Sequence, residues 1–345
     1  MNRPSTLWSR PGLRLAGTGE HRTFDPGMGP DRYHRALEIL GASGGDMAFA
    51  SFTFDLEEPG SVVVVPRGVD QATSGTIDST PIPDGIVVDD SSATWGPMVD
   101  KALGAIESGR IDKVVLSRLI TAEMSDDVDP NAIAQRLEQR QTRSYIFLVD
   151  RLVGASPELL LRFASGQVSS TPLAGSADAR EDLLDDAKAA LEHQLAADSV
   201  AEALTRSGVR FDRAQPEEID FGDLRHLATR FNGSAPAGTT FADVLITLHP
   251  TAAVAGTPRA AAVQVIRDLE GESRGRYSGP VGWFDRSGNG EFAIALRCGF
   301  VDGKKIRLRS GAGIVAGSDP DAELEETNWK FAAMLDALGL SIQVG

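Results

Sequence analysis

The chain has 345 residues, of which 41% are hydrophobic and 24% charged, and it carries a formal net charge of −15. This composition is typical of a folded globular protein, and the excess of carboxylates argues against partners such as nucleic acid or anionic membranes. One cysteine, Cys298, excludes an intramolecular disulfide. The sequence shows no signal peptide, membrane-spanning run, heptad repeat or large apolar stripe, so we expect a cytoplasmic monomer.

Hydrophobic periodicity predicts the elements in chain order, after a first 30 residues that are rich in Pro, Gly and Arg and show no clear period. The predicted helices cover residues 31–40, 95–106, 131–140, 182–207, 240–247, 259–269 and 322–338. The predicted strands cover residues 48–54, 61–65, 113–120, 145–149, part of 221–231, 281–284, 292–297 and 305–310. Residues 66–93 are expected to be rich in turns. Thr239 is expected to cap the helix at 240–247, and Gly311-Ala312-Gly313 is expected to form a turn.

Many of these strands are neighbours in sequence and are joined by short links that contain glycine. This order favours antiparallel sheets surrounded by helices, which is an α+β fold, over alternating βαβ units. The sequence has no internal repeat and no low-complexity linker. We therefore expect one compact unit and not two independent domains.

Lys113 begins an apolar strand in which Lys113, Val115 and Ser117 share one face. One interpretation is a lysine at the strand edge whose stem packs while its ammonium group reaches water. The other is a buried lysine, because removal from water favours the neutral amine that can act as a base. The pattern alone does not choose between them.

Glu158 follows Ser-Pro and precedes three consecutive leucines. The commoner explanation of such an acid is a strand end in solvent. The alternative is a pocket, where burial without a charged partner raises the pKa of a carboxyl group and suits it to work as a general acid.

Three glutamates are candidate metal ligands: Glu192, Glu323 and Glu326. The last two share a helical face with Lys330, because their spacings are three and four residues. Hard carboxylate oxygens, without a Cys or multi-His cluster, favour magnesium over zinc or copper. A solvated acidic helix start explains the same residues equally well.

Further candidates for anion binding are Arg297, the Gly311-Ala312-Gly313 stretch and His249. Arg297 ends an apolar strand, so its guanidinium group needs a partner, either a substrate carboxylate or an internal acid. The Gly-Ala-Gly stretch could offer backbone N–H groups to an anion. His249, which precedes Pro250, is more simply a core or turn histidine. The sequence has no dinucleotide fingerprint and no nucleophile elbow.

Taken together and in order, eight stretches resemble the chorismate-utilising enzymes. They are KVVLSR (113–118), SPELLL (156–161), TPLAGS (171–176), LEHQL (191–195), LHPTAAVAGTP (248–258), RYSGPVGW (276–283), AIALR (293–297) and SGAGIVAGSDPDAELEETNWK (310–330). Within that family the chain is most similar to the isochorismate synthases. Lys113 stands where those enzymes keep the base that activates water, and Ala174 replaces the nucleophilic lysine of the aminodeoxychorismate synthases.

The resemblance implies the fold of anthranilate synthase component I, with a variable N-terminal part at 1–100 and a chorismate-binding catalytic core at 101–340. It implies an Mg²⁺-dependent isomerisation of chorismate to isochorismate, with Lys113 as base and Glu158 as acid. The implied metal ligands are Glu192, Glu323 and Glu326. The implied substrate-binding residues are Ala174, Gly175, Ser176, His249, Thr251, Tyr277, Arg297, Gly311, Ala312, Gly313 and Lys330.

Three other functions fit parts of the same pattern. A salicylate synthase would continue from isochorismate by expelling pyruvate, although the LHPT stretch (248–251) disfavours it. An anthranilate-type enzyme would require ammonia or a glutaminase partner. A non-catalytic chorismate-binding protein would need no pair of base and acid, so Lys113 and Glu158 argue against it.

Overall fold

The structure is a computed structural model that describes residues 5–73, 81–178, 183, 186–221 and 224–342. Its helices are α1 (Arg32–Ser43), α2 (Trp95–Glu107), α3 (Pro130–Arg140), α4 (Ala187–Arg206), α5 (Phe241–Leu248), α6 (Arg259–Glu270) and α7 (Pro320–Leu338). Its strands are β1 (Thr6–Arg10), β2 (Leu13–Phe24), β3 (Met47–Ser51), β4 (Val62–Ala72), β5 (Gly85–Asp90), β6 (Lys113–Met124), β7 (Tyr145–Val149), β8 (Leu152–Ser156), β9 (Leu159–Ala164), β10 (Gln167–Thr171), β11 (Leu173–Asp178), β12 (Arg210–Arg213), β13 (Glu217–Asp220), β14 (Leu224–Ala228), β15 (Phe231–Ser234), β16 (Gly256–Thr257), β17 (Pro280–Asp285), β18 (Gly290–Ile294), β19 (Cys298–Asp302) and β20 (Lys305–Ile314).

Seventeen strands form one antiparallel hydrogen-bonded array. From one end to the other its order is β5, β6, β20, β19, β8, β7, β1, β2, β4, β3, β17, β18, β9, β10, β15 and β12, with β16 beside the start of β6. Strands β11, β14 and β13 form a separate small sheet. The prediction of an α+β fold with large antiparallel sheets is confirmed.

Strands that are far apart in the order of the array share one buried apolar layer. This layer contains Trp8, Phe49, Phe147 and Val281, all fully buried. Outside it, α1, α2, α4, α5 and α6 contribute to a large core, and α3 and α7 to a second one. In the described part of the chain, no helix is both long and apolar enough to cross a membrane.

The first 30 residues are more regular than predicted, because they contain β1 and β2. The prediction failed for a physical reason. In β2, three consecutive buried residues are followed by an exposed tail, so the sequence shows no alternation of apolar and polar positions. Residues 66–93, predicted to be rich in turns, similarly include the end of β4 and all of β5.

Two local predictions are wrong, and one falls partly outside the described residues. Gly311-Ala312-Gly313 lies inside β20 and pairs with β6, so it is not a turn. Thr240, not Thr239, begins α5 through a reciprocal capping box with Asp243. Of the helix predicted to start at residue 182, positions 182, 184 and 185 are not described, and α4 begins at Ala187.

The close packing of β17 between β3 and β18 predicts a strong effect of replacing Gly282 by alanine. A Cβ atom there would lie 1.9 Å from the backbone oxygen of Glu291, which cannot move without breaking the ladder. We expect Gly282→Ala to lower the free energy of unfolding by about 2 kcal/mol or more in urea titrations. Gly104→Ala is the control, because it meets no atom within 4 Å in α2 and should raise the same quantity by about 0.5–1 kcal/mol. Equal effects would contradict the packing argument.

Candidate active site

A cleft opens where β6, β20, the β8–β9 link, β11 and α4 converge. It combines apolar walls with a small set of acids, bases and hydrogen-bond donors, as small-molecule sites usually do. The sequence-predicted residues that line it are Glu158, Ala174, Gly175, Ser176, Glu192, Tyr277, Arg297, Gly311, Gly313 and Lys330. Ten of the predicted site residues therefore meet in one place.

The alternation of β20 decides which of its residues reach the cleft. Gly311 and Gly313 lie opposite Ser117 and Val115 of β6 on the cleft side, whereas Ala312 faces the large core. A Cβ atom on Gly313 would lie 1.9 Å from Glu192 Oε1. A glycine is needed at 313 because the Glu192 carboxylate occupies the space of a side chain.

Lys113 and Glu192 form a buried ion pair behind the cleft surface. The Lys113 side chain is fully buried, and its Nζ lies 3.1 Å from Glu192 Oε1. The Gly175 N–H donates to Glu192 Oε2 at 3.3 Å. Burial raises the pKa of Glu192, but the charges of Lys113, Lys330 and Lys188 outweigh it and leave the pKa below its usual value. The carboxylate is therefore ionised.

Helix α7 brings two more carboxylates to the site. Glu323 accepts a hydrogen bond from Lys188, and Glu326 accepts one from Lys330. Burial and the nearby Glu326 raise the pKa of Glu323. Lys330 Nζ also donates to the backbone oxygen of Gly311 at 3.0 Å, which ties α7 to β20.

The three glutamates have the oxygen ligands that a hard cation prefers, although their side chains do not converge on one point as in an assembled metal site. Among the described residues, no group of three or more His, Cys, Asp or Glu side chains is arranged to hold a metal. Glu323 Oε2, however, is buried without a hydrogen-bond partner, and the three carboxylates each contact a different lysine ammonium group. Carboxylate oxygens suit a hard divalent cation, whose charge would replace that of the ammonium groups that now balance the glutamates.

Glu158 lies in the link between β8 and β9, directly after Pro157, and is buried at the cleft wall. Burial raises the pKa of its carboxyl group to about 8, against the opposing influence of a backbone hydrogen bond from Leu173 and of the charges on Lys113 and Lys330. The carboxyl group is therefore mostly protonated at neutral pH and can donate a proton.

Arg297 and Tyr277 provide cationic and hydroxyl groups on another wall. Arg297 adopts a left-handed backbone conformation with φ of 46°, between the ends of β18 and β19. Its Nη2 donates to His226 Nε2 at 2.6 Å. Burial raises the pKa of Tyr277 to about 12, so its hydroxyl group stays protonated and can donate to an anion.

His226 is a cleft residue that sequence reasoning missed, because a lone histidine on a short strand resembles a core residue. The other predicted residues lie outside the lining: Lys113, His249, Thr251, Ala312, Glu323 and Glu326. His249 packs edge-on against Phe54 and contacts its backbone oxygen at 2.9 Å. Thr251, two residues later in the chain, is also buried. The structure thus places His249, Thr251 and Ala312 away from the cleft surface.

The buried Glu158 makes stability depend on pH in a defined direction. The folded protein holds a proton on this group up to about pH 8, whereas the unfolded chain loses it near pH 4.5. The contribution to stability is therefore complete below pH 4.5 and is lost as the pH rises through 8. We expect the free energy of unfolding to fall less steeply between pH 5 and 9 in Glu158→Gln than in the wild type. Glu107→Gln, at an exposed position, should keep the wild-type slope; parallel slopes for all three proteins would refute a buried acid.

Comparison with known proteins adds family information to this geometry. Residues 78–339 match the family model described as chorismate binding enzyme. The chain is 39% identical over 263 residues to isochorismate synthase EntC of Escherichia coli K12, covering 72% of this chain and 67% of that protein. It is 35% identical over 260 residues to isochorismate synthase MenF of Bacillus subtilis, covering 71% and 55% respectively. This chain thus spans between about half and two thirds of the length of these relatives.

A solved structure extends the likeness to nearly the whole fold. It is the proposed 2,3-dihydroxybenzoate-specific isochorismate synthase DhbC of Bacillus anthracis, with a TM-score of 0.88 and 29% identity. The match covers 98% of this chain and 97% of that one, so it includes the first hundred residues, where the sequence resemblance is weak.

Proposed function

Because the chain belongs to the chorismate-binding enzyme family, we propose that it is an isochorismate synthase, an isomerase that converts chorismate into isochorismate. The observation that carries the proposal is the pairing of a buried acid with a buried lysine at one cleft. Glu158 is protonated at neutral pH, and Lys113 lies directly behind the cleft wall. A protein that only binds chorismate would need neither group.

The reaction exchanges one allylic hydroxyl group for another and consumes no water overall. Lys113 must first release the proton that it holds in the ion pair with Glu192. As the neutral amine it then takes a proton from a water molecule, whose oxygen forms a bond to C2 of the ring. The ring double bonds shift and the bond from C4 to its hydroxyl group breaks. Glu158 gives its proton to the departing oxygen, which leaves as water. Transfer of a proton from Lys113 back to Glu158, directly or through solvent, restores the starting state.

The substrate carries two carboxylates, and the cleft offers donors for both. Arg297 and Tyr277 bind the enolpyruvyl carboxylate, with help from the Gly313 N–H group. Lys330 faces the ring carboxylate. Glu192, Glu323 and Glu326 would hold Mg²⁺, which supplies positive charge for that carboxylate when bound. Three of the six lysines in this acidic chain, at 113, 188 and 330, contact these glutamates. This concentration of lysines supports a site where several negatively charged groups meet.

Product analysis tests the proposal directly. We expect purified protein with chorismate and Mg²⁺ to form isochorismate, seen by chromatography, without pyruvate. Salicylate or anthranilate together with pyruvate would replace the proposal by one of the lyases of the same family. Unchanged chorismate would favour a binding protein.

Substitution of either central group should abolish turnover. Lys113→Ala should also lower stability, because it leaves the buried Glu192 without its ion-pair partner. We expect Lys113→Ala and Glu158→Gln each to lower kcat by about a hundredfold or more, because each removes a proton-transfer group. Lys101→Ala, at an exposed position in α2, is the matched control and should retain kcat. Circular dichroism checks the fold, and near-wild-type rates in either variant would disprove the assigned roles.

The metal ligands can be tested by binding as well as by activity. EDTA should stop turnover and excess Mg²⁺ should restore it. In thermal unfolding of the wild type, millimolar Mg²⁺ should raise the melting temperature, since a ligand that binds only the folded state stabilises it. Glu326→Gln should lose this shift, whereas Glu325→Gln, one residue earlier on the exposed side of α7, should keep it. Identical shifts in both variants would remove Glu326 from the site.

A further inference from the structure

His226 connects two cleft residues that come from different parts of the fold. It lies on β14, directly opposite Ser176 of β11 in the small sheet. Its Nδ1 is 3.0 Å from Ser176 Oγ, and its Nε2 is 2.6 Å from Arg297 Nη2. The ring of Phe221 packs edge-on against the imidazole, with 5.8 Å between centroids. The ring is therefore held in one orientation.

The contact with Arg297 determines the tautomer of the His226 ring. A guanidinium group has only donors and keeps its proton in proteins, so His226 Nε2 must accept. A neutral imidazole that accepts at Nε2 carries its proton on Nδ1. Ser176 Oγ, 3.0 Å from Nδ1, can accept that proton, as can the backbone of Gly175. Where Ser176 Oγ accepts it, the hydroxyl hydrogen of Ser176 is available to a ligand in the cleft.

The charge state of His226 matters as much as its direction. Burial, with the positive charges of Arg297 and Lys330, lowers the pKa of His226 well below its usual value despite a backbone contact with Gly175. The ring is therefore neutral at physiological pH. As a neutral acceptor, His226 adds no negative charge beside the guanidinium group that it orients.

We propose that His226 is a positioning residue that aligns Arg297 and orients the Ser176 hydroxyl group as a second donor toward the anionic substrate. The identity of that substrate rests on the proposed function. The hydrogen-bond direction and the tautomer follow from the geometry alone.

The tautomer can be measured without any substrate. The chain has only five histidines, so long-range ¹H–¹⁵N correlation spectra of protein labelled with ¹⁵N-histidine are simple, and His226→Asn identifies the signal by its loss. We expect a neutral ring protonated at Nδ1 from pH 6 to 8. A ring protonated at Nε2, or an imidazolium in that range, would overturn the proposal even if the enzyme makes isochorismate.

Kinetics with chorismate test the positioning role. We expect His226→Ala to raise KM about tenfold or more while kcat changes less than about threefold, because substrate donors lose their alignment. His226→Gln keeps an acceptor near the position of Nε2 and should recover part of the loss. His21→Ala, at an exposed position, is the control. An unchanged KM in His226→Ala, or a loss confined to kcat, would contradict the role.

A double-mutant cycle tests the link to Ser176. Ser176→Ala should raise KM in the wild type, but it should add less than about twofold in the His226→Ala background, because the hydroxyl group is then no longer oriented. Fully multiplicative effects would disprove the coupling. If wild-type protein leaves chorismate unchanged, the proposed function fails, and the spectra alone decide the hydrogen-bond chain.

Discussion

The cleft depends on the ion pair between Lys113 and Glu192, which is buried between β6 and α4. Burying two charges is costly unless their geometry is good and their remaining hydrogen-bonding capacity is used. The structure meets this condition in two ways. Gly175 donates a backbone N–H group to the carboxylate, and Gly313 leaves the space that the carboxylate fills. The pairing of β6 with β20 places Gly313 beside Lys113. The ion pair therefore depends on the register of these two strands.

The electrostatics of the site contrast with those of the whole chain. A protein with a net charge of −15 should repel a dianion. Ammonium groups at 113, 188 and 330 balance the three glutamates, and the guanidinium group of Arg297 adds positive charge. Burial keeps the proton on Glu158. Burial thus has opposite uses within one cleft: it keeps one carboxyl group neutral, and it strengthens the attraction between the charged groups beside it.

Much of this could be predicted from the sequence, and the failures have physical causes. Strands at 113–120 and 145–149 and the helix at 95–106 have clear periodicity, and the motifs resembling chorismate-utilising enzymes indicated ten residues that line the cleft. Periodicity did not reveal β1 and β2, whose buried positions do not alternate. Glycine propensity misled at Gly311 and Gly313, where close approach of other groups outweighs flexibility. His226 was missed because its role depends on Arg297, 71 residues away in sequence.

The order of strands in the large array also has a consequence for how the chain is made. β6 is buried along most of its length and pairs with β20, which follows it by nearly two hundred residues. During synthesis, the edge of β6 that pairs with β20 therefore has no partner strand until β20 has been made. Such long-range pairing slows folding and leaves a surface that other nascent chains can join. A partial chain that ends before β20 lacks Gly311 and Gly313 and therefore cannot assemble the cleft.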